Sequence, residues 1–167
     1  MANTGNFPNN AEMHLIDVVE SVARHYDRTF DRVSEDQIAM TIEGSWRAYS
    51  ITFAWSAYDE ILRMVCTFDM CPPSDRLPLL YETLNRANDK CWAGAFAMWA
   101  EQHLMIYRYG LMLGGEMSAS PEQIDRMLNT AVRTCERFYP AFQLVCWGDT
   151  EPETALQIAI LDAYGRA

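Results

Sequence analysis

The chain has 167 residues, of which 50% are apolar and 22% charged; that suits a single folded domain burying about 70% of its unfolded surface. Its 13 basic residues stand against 23 acidic ones, for a net charge of −10 and a pI near 4.6. Such a surface repels phosphate backbones and anionic headgroups, which argues against nucleic-acid and membrane partners and serves chiefly solubility.

The first ten residues are polar and Asn-rich and are expected to be disordered, leaving one domain over 11–165. They lack the basic and apolar regions of a signal peptide, and no apolar run approaches the roughly 20 residues of a membrane span, so a cytoplasmic protein is expected. The five cysteines are an odd number without repeated spacing, which is no disulfide framework.

A first helix is predicted from about Ala11 to Arg28, capped by Asn9 or Asn10, with a stripe of Ile16, Val19, Ala23 and Tyr26 and Phe30 just beyond. Gln37 to Met70 then reads as a three-strand meander. Ile38, Met40 and Ile42, then Tyr49, Ile51, Phe53 and Trp55, then Leu62, Met64, Cys66 and Phe68 alternate with smaller or polar residues, placing each set on one face of a sheet. Glu43-Gly44-Ser45 and Ser56-Ala57-Tyr58-Asp59 are short enough for hairpin turns. Pro72-Pro73 ends the third strand; a second helix capped by Ser74 would lose a backbone bond at Pro78, and a start nearer Leu77 avoids that loss.

A second hairpin follows, Gly94 to Trp99 and Leu104 to Met112, and it is apolar on both faces. Burial from two sides, by helices or by a partner chain, is the implication. Ser120-Pro121-Glu122-Gln123 is a capping box opening a helix with the stripe Ile124, Met127, Leu128, Ala131, Cys135 and Phe138. Pro140 is expected to kink or end it before a second segment that stops at Gly148, and Thr150-Glu151-Pro152-Glu153 repeats the capping signal for a last helix. The prediction is α+β: an antiparallel sheet of about five strands in the order α-βββ-α-ββ-α-α, with helices packed on the sheet.

No catalytic motif emerges. His14 and His25 lie eleven residues apart on one helix, about 16 Å at 1.5 Å per residue, too far to share an ion, and His103 sits in a turn; no metal and no cofactor is expected. Cys66 and Cys135 lie on apolar faces, where desolvation quiets a thiol. The acid pairs Glu35-Asp36 and Asp59-Glu60 fall at turns and read as solvated. The Gly114-Gly115 loop leads into a helix N-terminus but lacks phosphate-loop spacing, and its Glu116 would repel phosphate.

Several phrases, taken in order, resemble the YbjN-like family of small bacterial proteins, labelled sensory transduction regulators: Asp36-Gln37-Ile38-Ala39 through Glu43-Gly44-Ser45-Trp46, Phe53-Ala54-Trp55, Leu84-Asn85-Arg86-Ala87-Asn88, Trp92-Ala93-Gly94-Ala95-Phe96, Tyr107-Arg108, and Cys135-Glu136-Arg137-Phe138-Tyr139-Pro140-Ala141-Phe142-Gln143. The similarity covers about Ala11 to Leu161. It implies a fold like that of type III secretion chaperones, often dimeric, and a binding role with no catalytic residue to carry over. The expectation is therefore a non-enzymatic, homodimeric interaction protein, chaperone-like or a regulatory adaptor, with an unknown protein partner. Trp99, Leu104 and Ile106 would border the interface and Arg108 would lie at its rim. The alternative is a small-molecule sensor with a pocket between sheet and helices.

Overall fold

A computed structural model describes residues 13–114 and 117–165. Helix α1 spans Leu15–His25 and buries Leu15, Ile16, Val18, Val19, Val22 and Ala23. It starts later than the apolar stripe suggests, because His14 is the cap: its Nδ1 accepts the Ile16 N–H at 3.3 Å. With Nδ1 an acceptor, the ring proton sits on Nε2 and faces Asp36 at 3.0 Å. The predicted caps Asn9 and Asn10, and the predicted disordered segment, lie outside the described residues. The helix also ends earlier than Arg28, where Asp27 turns left-handed (φ 51) and the Arg28 N–H closes on the Ala23 carbonyl. Tyr26, predicted for the buried stripe, is exposed.

The sheet has six strands, not five: β1 (Phe30–Ser34), β2 (Gln37–Glu43), β3 (Ala48–Ser56), β4 (Ile61–Asp69), β5 (Ala95–Trp99) and β6 (Leu104–Met112). They are all antiparallel, in the spatial order β1-β2-β3-β4-β6-β5. The extra strand, β1, eludes an apolar period of two because an arginine occupies an inward position. Arg32 pairs across from Ile38, and its Nη1 donates to Asp17 at 2.9 Å and Glu20 at 3.0 Å on α1. Its Nε and Nη2 donate to the Ser34 and Glu35 carbonyls, so one guanidinium binds the helix, the edge strand and the following turn together.

Helix α2 spans Leu77–Asn88 and starts at Leu77 as expected, with Pro78 among its first two residues, where no intrahelical bond is lost. Helix α3 spans Pro121–Trp147, and the capping box between Ser120 and Gln123 is complete. The helix runs through Pro140 without ending. Loss of one backbone bond there is outweighed by burial of Phe138, Tyr139, Ala141, Phe142 and Val145 on both sides of the proline. Helix α4 spans Pro152–Gly165 and packs on α3 and α2. Arg76, just before α2, locks the junction: its Nε donates to the Val145 carbonyl at 2.8 Å and its Nη2 to the Thr150 carbonyl at 3.2 Å, capping the C-terminal end of α3 with a cation.

The core lies between the sheet and the helices. Ile38, Met40, Tyr49, Ile51, Phe53, Leu62, Met64, Cys66, Phe68, Met105 and Tyr107 form the sheet's covered face. Edge-to-face aromatic contacts tie it to α3: Phe68 on Tyr139, and Phe96 on Phe138 and Phe142.

Candidate functional site

Two surfaces stand out. The first is the sheet's other face. Register aligns its residues in rows across the strands. One row runs Asp31, Ala39, Thr52, Val65, Arg108, Ala95; the next runs Thr41, Ser50, Thr67, Ile106, Ala97. Thr41, Glu43, Ala48, Ser50, Arg63, Asp69, Arg108 and Met112 are all exposed on it, so the helices cover only the opposite side. The double-sided burial expected of the second hairpin is thus half realised. Phe96, Met105 and Tyr107 go under the helices; Trp99, Leu104, Ile106 and Arg108 go to the bare side, where Trp99 pairs with Leu104. These four do share one surface. Ile106, however, is only 1% exposed between Thr67 and Ala97, so it fills the surface rather than presenting a contact, whereas Trp99 remains 45% exposed.

The second surface is built around Glu136 of α3. The β2–β3 turn folds over this carboxylate: the Ser45 N–H donates at 2.8 Å, the Trp46 N–H at 3.2 Å and the Tyr49 hydroxyl at 2.6 Å. Gly44 makes the approach possible, since a Cβ there would collide with the Glu136 carboxylate and the Tyr49 ring. Burial and the adjacent carboxylate drive the Tyr49 hydroxyl far above the usual phenol range, which keeps it a donor. Beside this clasp, an open groove of about 850 Å³ is lined by Gly44, Ser45 and Trp46 of the β2–β3 turn, by Thr130, Arg133 and Arg137 of α3 and by Ala159 of α4.

A similar clasp joins α2 to β5. Asn88 accepts the Phe96 N–H at 2.7 Å and donates to the Phe96 carbonyl at 3.0 Å. Gly94 is held so close to Tyr107 and the Arg108 carbonyl that a Cβ would meet them at 2.7 and 2.6 Å. The phrases that carry the sequence resemblance are therefore contact partners: Gly44-Ser45-Trp46 with Glu136, and Asn88 and Gly94 with β5 and β6. Sequence reasoning missed the Glu136 clasp, because nothing in one sequence links positions 91 residues apart.

The predicted acid pairs are occupied or solvated: Asp36 faces His14 and Asp59 pairs with Arg63. His103 is exposed in a left-handed turn. Cys66 and Cys135 are buried with sulfurs 3.8 Å apart, and burial holds Cys135 well above an ordinary thiol pKa. Among the described residues, no group of three His, Cys, Asp or Glu side chains could hold a metal ion, and no helix is long and apolar enough to cross a membrane. The alternative of a sensor pocket between sheet and helices meets a small hollow of about 140 Å³ between Tyr109 and Leu111 of β6 and Gln123 and Met127 of α3, while the larger groove is lined by α3, the β2–β3 turn and α4.

A family model described as "YbjN: Putative bacterial sensory transduction regulator" matches residues 15–144. Nothing matches among curated proteins or among solved structures.

Proposed function

The chain belongs to the YbjN family, and from that premise we propose that it is a regulatory or chaperone-like interaction protein, without catalytic activity, that works in the cytoplasm as a homodimer. The observation that carries this reading is the bare face of a sheet whose other face is fully roofed by helices. The middle of this face is made of Ala, Ser, Thr and Val, with charged residues such as Glu43, Arg63, Asp69 and Arg108 around it; Trp99 and Leu104 lie at one end of β6 and Met112 at the other.

A second copy is the occupant the face favours. The row through Thr52 has an acid, Asp31, at one end and a base, Arg108, near the other, with small residues between them. Thr52 is the midpoint of that span in strand order. A two-fold axis along β3 above Thr52 sets Arg108 of each copy over Asp31 of the other, which is the self-complementarity an isologous dimer needs. Neither residue makes an ion pair among the described residues.

The two buried thiols of α3 speak against thiol chemistry in its interior. Burial raises Cys146 to about 11 and Cys135 higher than an ordinary thiol, so both are held as poor nucleophiles at neutral pH. Multi-angle light scattering at tens of micromolar tests the reading: a dimer mass is expected, and a monomer mass would remove the dimer.

A further inference from the structure

We propose that the groove outside α3 is a binding site for a small ligand bearing an oxyanion, a carboxylate or a phosphate, held by Arg133 and Arg137. The site is separate from the sheet face, and the inference does not depend on dimerisation.

Arg24, Arg28, Arg32, Arg47, Arg63, Arg76 and Arg86 each lie within 4.0 Å of a carboxylate. Arg108, Arg126, Arg133 and Arg137 have no such partner among the described residues, and of these Arg133 and Arg137 line the groove. Arg137 is half-buried, lies over the Phe138 ring, and has its Nε buried without a hydrogen-bond partner. The buried Nε fixes where the guanidinium lies, and the part of the Arg137 side chain that lines the groove is what a ligand oxygen can meet. One helical turn separates the two arginines, so their forks can converge on one anion, and Thr130 adds a hydroxyl one turn from both Arg133 and Thr134.

Glu136 also lines the groove, but its oxygens already accept Ser45, Trp46 and Tyr49. Those bonds hold the Glu136 carboxylate at the β2–β3 turn without cancelling its charge, so Glu43 and Glu136 offset the two arginines and the ligand's anionic group must sit at the Arg133–Arg137 side. Glu43 at the same turn sets a limit on how much negative charge the ligand can carry. Trp46, packed at 6.3 Å from the Tyr139 ring, and Pro140 offer a flat apolar wall for the uncharged part of the ligand. The volume, about 850 Å³, is that of a metabolite site rather than of a lone ion.

Isothermal titration calorimetry at fixed ionic strength, with inorganic phosphate in one series and citrate in another, tests the site on the full chain. Saturable binding of either anion in the tens-of-millimolar range or tighter is expected, and the tighter of the two identifies the oxyanion. Arg133→Gln and Arg137→Gln should each weaken it roughly tenfold or more, the loss of one charge-assisted contact. Arg63→Gln, on the bare face of the sheet and away from the groove, should leave binding unchanged. Thermal unfolding of each variant confirms that it folds. Absence of saturable binding of both anions overturns the proposal, as does equal weakening by all three substitutions.

Discussion

Along β3, Tyr49, Ile51 and Phe53 point into the core with no exposed surface, while Ser50, Thr52 and Ala54 between them look out on the bare side. The same backbone therefore carries two contrasting faces. One is made of large side chains fixed by edge-to-face rings and by hydrogen bonds to α3. The other is made of small ones that leave room for something flat. The difference teaches that a packed face and an open one are separated by a single residue step in this sheet, since a period of two sends neighbours to opposite sides.

The largest effect should come from hollowing the covered face. Phe53→Ala is expected to destabilise by about 3–5 kcal/mol, whereas Thr52→Ala next to it should change stability by about 0.5 kcal/mol or less in the isolated subunit. Urea titrations of the two variants read the contrast directly, and equal losses would erase it. Next in size is the clasp on Glu136. Glu136→Gln replaces a charged acceptor shared by three donors, for an expected loss of about 1.5–3 kcal/mol, and Gly44→Ala should do comparable harm by pushing the turn off the carboxylate.

The covered face should also reveal itself in alkali. Tyr49 and Tyr107 both have raised pKa values in the folded state, chiefly through burial, Tyr107 to about 12. A phenol whose folded value exceeds its unfolded value of 10.0 contributes stability that is fully present below pH 10 and is lost as pH rises above it. The unfolding midpoint should fall above pH 10, and Tyr49→Phe should flatten part of that decline. The smallest effect is a matter of access: a thiol reagent at neutral pH should modify exposed Cys71 at once and leave Cys66 and Cys135 until the chain unfolds. Early loss of Cys66 would mean that the covered face opens readily.

Much of this was legible in the sequence. The alternation over β2, β3 and β4 placed every covered residue of the meander on its observed face, and the capping box at Ser120 marked the start of α3 to the residue. Two features were hidden for physical reasons. Strand β1 turns Arg32 inward to acids on α1, so its polar side chain masks the period of two. Pro140 reads as a helix breaker, yet apolar packing on both flanks holds α3 continuous through it. The candidate interface was legible as a composition, apolar on both sides of the second hairpin. Which side the helices would take was not, because that depends on how α2 and α3 return to the sheet. The Glu136 clasp and the groove beside it depend on contacts between distant segments and left no local trace.

The central claim is that two copies meet through the bare face, with Arg108 of one above Asp31 of the other. Sedimentation equilibrium of Asp31→Arg, Arg108→Asp and the double variant, beside the unaltered chain, tests it most directly. A dimer is expected for the unaltered chain, with association weakened roughly tenfold or more in each single charge reversal and recovered in the double variant. A monomeric unaltered chain, or single reversals that leave the association unchanged, would contradict it.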